Sequence, residues 1–163
     1  MRRAKAALGS AAFLLIAPGV VAGLVPWSLT EWDAEPASPL VRASGVLLIA
    51  LGVGFLLHAF ARFVFEGLGT PAPVAPTQRL VVGGAYRYVR NPMYLAVWAI
   101  IVGQALLLAQ LELLAYAAAF GAVVFSFVRI YEEPMLAEQY GESYEAYRRA
   151  VPGWLPRLTP WSP

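Results

Sequence analysis

The 163-residue chain has no cysteine and a single histidine, His58. The lack of cysteine excludes thiol catalysis, disulfides and cysteine-ligated metal. Without a second histidine, a zinc site is not expected either. Charge is also scarce: 13% of the residues are charged and 60% are hydrophobic, with a mean hydropathy of +0.62. A soluble domain of this size would need more polar residues to cover its surface. The net charge is only +2, and the basic residues lie beside apolar runs rather than in one stripe. No nucleic-acid partner is therefore expected; the expected partner is the lipid bilayer.

The apolar residues form long runs. A span needs about 20 of them to cross the hydrocarbon core, and four stretches qualify: Ala6 to Leu29, Leu40 to Phe65, Met93 to Ala109 and Leu111 to Ile130. The last two meet at Gln110, Leu111 and Glu112, which predicts a tight helical hairpin. The opening Met1-Arg2-Arg3-Ala4-Lys5 is like the basic region of a signal peptide. The apolar run behind it is long, however, no clear small-residue cleavage site follows, and three more spans come after it, so the first span is expected to stay. The expected fold is an all-α membrane protein, four transmembrane helices plus short cytosolic amphipathic C-terminal helices. Residues 1–66 would form an N-terminal pair of spans and 67–163 the remainder.

Orientation follows from the loops that carry Lys and Arg. Arg2, Arg3 and Lys5 precede span one; the next loop, Glu31 to Pro36, is acidic. Arg79, Arg87 and Arg90 follow span two, only Glu112 marks the turn after span three, and Arg148, Arg149 and Arg157 lie in the tail. Basic and non-basic loops alternate, which predicts both termini in the cytoplasm. Trp27, Trp32, Trp98 and Trp154 lie near the predicted interfaces, as aromatic anchors do.

The polar residues gather at the cytosolic end. Gly83-Gly84 permits a tight turn or the close approach of a ligand. Asn91 can cap a helix whose first residue is Pro92. The start of span three would then offer backbone N–H groups and a positive dipole end to an anionic group, with Arg90 beside it. An ordinary capped helix with a positive-inside arginine explains the same features. At the end of span four, Glu132 and Glu133 suit a cationic ligand centre; a solvated helix end would also account for them. Leu136, Tyr140, Tyr144, Tyr147 and Val151 recur at helical spacing, with a break at Gly141 and a stop at Pro152, so two short amphipathic helices are expected. A tyrosine stripe of this kind is more often packing than a ligand cage. In span two, His58, Arg62 and Glu66 share one helical face. Arg62 and Glu66 can snorkel, whereas His58 reads as an interhelical hydrogen-bonding residue or a mid-membrane functional one.

Taken together, Gly84-Ala85-Tyr86-Arg87-Tyr88-Val89-Arg90-Asn91-Pro92-Met93-Tyr94, the hairpin of two spans, Glu132-Glu133-Pro134-Met135-Leu136, Tyr140 to Tyr147, Val151-Pro152 and Pro156 resemble the isoprenylcysteine carboxyl methyltransferase family. That family sits in a wider group with phospholipid N-methyltransferases. The resemblance runs from about Gln78 to Pro156 and leaves spans one and two without a motif. It implies S-adenosyl-L-methionine as cofactor, bound by Gln78, Arg79, Leu80, Val81, Tyr86, Asn91, Pro92, Met93, Tyr94, Glu132 and Glu133. It places Arg129 near the family's substrate-side arginine; a carboxylate or thiolate substrate would need such a cation, which Arg90 or Arg129 could supply. Eukaryotic members carry histidine where this chain has Asn91, so a role that needs a titrating group there is lost.

The implied function is an integral membrane methyltransferase that acts on a small lipophilic or membrane-embedded substrate: a carboxylate, thiol, amine or lipid head group. An alanine-rich, arginine-over-lysine composition suggests a bacterial-type member in the cell (inner) membrane. Two other readings stay open, a nicotinamide-dependent membrane reductase and a non-catalytic transport or partner-binding protein.

Overall fold

The computed structural model describes residues 2–62, 65 and 80–162. Among these the chain is all helical. Helix α1 (Arg2–Gly19) runs through a π-helical turn, Val20–Leu24, into α2 (Val25–Thr30). Helix α3 spans Pro39–Arg62 and α4 spans Pro92–Leu108. Helix α5 (Leu111–Phe127) passes through a second π turn, Val128–Glu132, into α6 (Glu133–Tyr140), and α7 covers Glu142–Ala150.

Among the described residues, three helical stretches are long and apolar enough to cross a membrane: Ala12–Thr30, Pro39–Arg62 and Leu111–Tyr140. The expected third span is shorter, the 17 residues of Pro92–Leu108. At 1.5 Å per residue that helix is about 26 Å long, against a hydrocarbon core of about 30 Å. The expected fourth span does not stop at Ile130 but continues as helix to Tyr140.

Both π turns precede a proline, and the reason is local. Pro26 has no N–H to return to the preceding turn, and the Val25 N–H reaches back to the Val20 carbonyl. The Val21 and Ala22 carbonyls are thereby released inside an apolar bundle, where an unpaired carbonyl is costly. Side chains from other helices bond them: the Tyr116 hydroxyl donates to Val21 O at 2.8 Å and Gln104 Nε2 to Ala22 O at 2.7 Å. These two bonds pin α1 to the α4–α5 hairpin. In the second turn, the Glu133 N–H reaches the Val128 carbonyl and Pro134 follows.

Helices α3 and α4 pack closely because glycines face each other. A methyl group added at Gly45 would lie 2.6 Å from the Gly103 carbonyl oxygen, and one at Gly52 would lie 2.9 Å from the Ala96 carbonyl oxygen. Small residues allow this approach where lipid offers no hydrophobic drive between helices. The main core joins Leu56 and Phe60 of α3 to Ala96, Val97, Ile100 and Ile101 of α4 and Ala117 of α5. It thus spans the two regions divided at residue 66.

The expected hairpin is present, closed by Ala109 in the left-handed region (φ 56°), a position that glycine usually takes. Gly141, at φ 54°, separates α6 from α7 as expected. The tyrosine stripe is a packing face: Tyr144, Tyr147 and Val151 are buried with Ala59, Val81 and Tyr86, and Leu136 and Tyr140 lie against them. Of the tryptophans, Trp98 donates to the Ala117 carbonyl at 3.1 Å, and the Trp154 ring lies tilted against Tyr94 and Phe125 with centroids 6.5 and 5.8 Å away. Both join elements of the bundle to each other.

Candidate active site

The end of α3, the start of α4, the end of α5 and both tail helices meet at one end of the bundle. The segment before α4 makes a tight turn there, with Gly84 at φ 58° opening the 3-10 turn Gly84–Arg87. A cavity of about 170 Å3 opens between these elements. Its polar rim consists of Tyr86, Arg90, Asn91, Tyr94 and Glu132, with Pro92 and Met93 at the amino end of α4. Its wall is apolar: Phe13, Ala17, Pro18 and Val21 from the first helix, Leu56 and Phe60 from α3, and Val97 and Phe120 from α4 and α5.

The two adjacent glutamates at the end of the π turn 128–132 face different ways. Glu132 faces the cavity, where its Oε2 accepts a hydrogen bond from the Tyr94 hydroxyl at 2.9 Å. Glu133 turns away from the cavity and is 5% exposed. Its carboxylate sits among three arginines: Arg90 at 2.9 Å, Arg129 at 3.3 Å and Arg148 at 3.3 Å. A buried carboxylate needs such partners, since isolated charge is expelled from an apolar interior.

Arg90 ties this cluster to the tail. Its Nη1 donates to Glu133 Oε1 and, at 3.1 Å, to the Tyr144 hydroxyl, while its Nε donates to the Val151 carbonyl at 3.0 Å. Residues beyond α7 then run back along the loop before α4. The Arg90 N–H donates to Pro152 O, Arg157 N–H to Tyr88 O and Trp161 N–H to Arg87 O, each at 2.9 Å. Asn91 joins the same strap. Its side chain makes no cap on α4; Nδ2 donates instead to the Gly153 carbonyl at 3.1 Å. The expected Asn91 cap is therefore corrected: the asparagine is spent on the tail, and the amino end of α4 opens on the cavity.

Beneath the rim, the Tyr147 hydroxyl donates to the Tyr86 carbonyl at 2.7 Å. Burial holds the Tyr86 hydroxyl well above its ordinary range, and the nearby Tyr147, Glu132 and Tyr94 add to it. Burial also raises Tyr147 and Tyr144; for both, Arg90 works in the opposite direction. These tyrosines are neutral at physiological pH and serve as fixed donors and acceptors.

Of the residues named from the sequence, Tyr86, Arg90, Asn91, Pro92, Met93, Tyr94 and Glu132 surround one cavity. Leu80 and Val81 pack in the adjoining tyrosine cluster. Gln78, Arg79 and Glu66 lie outside the described residues. Glu133 and Arg129 do not line the cavity; the side chain of Arg129 is 55% exposed and paired with Glu133. No local signal in the sequence marks Tyr144, Arg148, Trp154 or the 151–161 strap as parts of the site. The spacing of Tyr144 marked a packing stripe, but nothing local in the sequence joins it to Arg90, 54 residues earlier.

A helical bundle with membrane-length helices and a cavity that is charged at its mouth and apolar within defines a membrane protein with an enzyme-like site. The family model described as phospholipid methyltransferase matches residues 40–143, and the chain belongs to that family, which includes the isoprenylcysteine carboxyl methyltransferases. Its class is membrane methyltransferase. The match begins at the start of α3, so the family region includes the second span, where no motif was legible. Searches of curated proteins and of solved structures give no match.

Proposed function

We propose that this protein takes a methyl group from S-adenosyl-L-methionine and passes it to a small lipophilic or membrane-embedded acceptor, a carboxylate, thiol, amine or lipid head group, that enters from the bilayer. One observation carries this reading: the Glu132–Tyr94 pair and the amino end of α4 share a single cavity with an apolar wall built from α1 and α3. A charged cofactor end and a lipophilic acceptor need both linings in one space.

The donor set suits the cofactor. Glu132 can accept from its ammonium, the amino end of α4 favours its carboxylate, and the tyrosine rings favour its cationic centre. The cavity, about 170 Å3, is below the roughly 300–1,000 Å3 of sites that enclose a whole drug-sized ligand. In this reading it therefore holds the methionine end of the cofactor and the reactive end of the acceptor. When bound, the cofactor supplies an electrophilic methyl group on a sulfonium. The residues of the chain orient and shield. Tyr94 fixes the Glu132 carboxylate, while Phe13, Phe60 and Phe120 exclude water that would compete as acceptor. Arg90 acts as a positioning residue that holds the tail against the rim. Alignment of nucleophile and methyl carbon supplies most of what such a transfer needs from a protein.

The same reading has the chain cross the cell membrane four times, Pro92–Leu108 included, with both termini, α6 and α7 in the cytoplasm. Arg87, Arg90, Arg129, Arg148 and Arg157 all lie at the cavity end of the bundle, which supports that orientation. Family membership favours methyl transfer over the reductase and transport readings. The test is calorimetric titration of S-adenosylmethionine and S-adenosylhomocysteine into detergent-purified protein, beside Glu132→Gln. Micromolar binding that the variant loses is expected. Folded protein that binds neither compound would refute the proposal.

A further inference from the structure

A second and larger cavity, about 920 Å3, lies on the other side of α3 from the candidate active site. The two use different faces of the helix: Leu56 and Phe60 turn toward the first cavity, whereas Leu51, Phe55, His58 and Arg62 line the second. Those four recur at helical spacing, so they form one continuous stripe. Opposite them stand Leu95 and Ala99 of α4, with Arg87 at one end.

The lining is graded. Around Leu51, Phe55, Leu95 and Ala99 it is apolar; around His58, Arg62 and Arg87 it is basic. The basic end is held close by Gly84, whose φ is 58° and whose Cα leaves no room for a methyl group against His58 Nε2 and Arg62 Nε. Arg87 Nε donates to the Trp161 carbonyl at 2.6 Å; a guanidinium carries five N–H donors, and this bond uses one. The apolar end is open to the side: Leu51 is 50% and Phe55 54% exposed on a helix of membrane-spanning length.

We propose that this groove is a binding site for an anionic phospholipid of the bilayer, separate from the methyl-transfer cavity. One acyl chain lies along Leu51, Phe55, Leu95 and Ala99, and the phosphate meets Arg62, Arg87 and His58. Three features favour such a lipid: the groove is apolar where the hydrocarbon core would be, it is basic at one end only, and its volume suits a chain with its head group. Basic pockets between helices at the cytoplasmic surface recognise anionic head groups in this way. The site rests on α3 and α4 lying in the membrane, not on methyl transfer.

The test uses the full chain in detergent. Thermal unfolding is followed while dioleoylphosphatidylglycerol or dioleoylphosphatidylcholine is added to the micelles, and S-adenosylmethionine binding is measured on the same samples. The glycerol lipid is expected to raise the melting temperature at lower mole fraction than the choline lipid. Arg62→Gln should weaken that preference roughly five-fold, the worth of about one charge at a head group. Gly54→Leu provides a second variant: Gly54 lines the groove, and a Cβ there meets nothing within 4 Å. It should fill the chain channel and reduce the response to phosphatidylglycerol. Equal responses to the two lipids, or a preference retained in both variants, would overturn the proposal. Selective lipid binding without S-adenosylmethionine binding would keep this site and remove the proposed function.

Discussion

Replacing Glu133 by glutamine separates two roles that adjacent glutamates could share. Glu133 is 5% exposed and bonded to Arg90, whose side chain is only 13% exposed. Its other partners are looser: the Arg129 side chain is 55% exposed and that of Arg148 37%. Exposed pairs contribute about 0–1 kcal/mol each, so the buried Arg90 pair dominates. Breaking a buried pair from one side costs about 3–5 kcal/mol, because the remaining charge is left uncompensated. Glutamine retains one acceptor for Arg90, which places the expected loss near the lower bound, about 3 kcal/mol. For a chain of this size each kcal/mol moves the melting temperature by about 2–4 °C, so Glu133→Gln should melt roughly 6–12 °C lower than wild type at the same scan rate. Glu132→Gln removes the charge but keeps an acceptor for the Tyr94 hydroxyl, and it should lower the melting temperature by a few degrees at most. It should instead weaken S-adenosylmethionine binding roughly 10- to 150-fold, the loss of one hydrogen bond to a charged group. The assay is thermal unfolding in detergent followed by circular dichroism, with calorimetry on the protein that remains folded. If Glu133→Gln melts like wild type yet loses the cofactor as fully as Glu132→Gln does, then the carboxylate inside the arginine cluster is a ligand and the division of labour argued above is wrong.

Other substitutions probe the packing and the released carbonyls. Gly103→Ala sets a methyl group 2.7 Å from Ile49 and 2.8 Å from the Gly45 carbonyl oxygen, so a loss of about 1–3 kcal/mol is expected; Gly54→Ala, which meets nothing, should leave melting unchanged or slightly raised. Gln104→Leu leaves the Ala22 carbonyl without its side-chain donor and should cost about 0.6–1.7 kcal/mol, read as a lower melting temperature with α-helical content retained. Tyr147→Phe removes the buried donor to Tyr86 O and should cost about 1–3 kcal/mol in the same assay. Because burial raises Tyr144 and Tyr147 above their ordinary range, their contribution is complete below about pH 10 and is lost as pH rises further. Alkaline melting curves should fall less steeply above that pH for a Tyr144→Phe/Tyr147→Phe variant than for wild type, and parallel curves would count against the assignment.

The linear order of residues determined much of this protein. Long apolar runs broken by Pro39, Pro92 and Gln110 set helix starts to within a residue or so, because proline supplies a first helical residue whose missing N–H is no loss. Gly141 divided the tail, and the spacing of Tyr140, Tyr144 and Tyr147 marked the face that packs. The concentration of polar residues between Tyr86 and Tyr94 and at Glu132 located the candidate site, since scarce polar groups in an apolar chain stand out. Only the tertiary structure decided what those groups do. Glu132 and Glu133 come at the end of a π turn, a wider winding that hydrophobic periodicity does not register, and only the packed neighbours separate the cavity-facing Glu132 from the arginine-bound Glu133. Asn91 had the composition of a cap, yet its amide is taken by Gly153, 62 residues away. Arg90 looked like an anion ligand and is held mainly by Glu133, Tyr144 and Val151. In each case the side chain had several possible partners of similar local merit. Contacts distant in sequence, formed when the tail closed over the start of α4, selected among them.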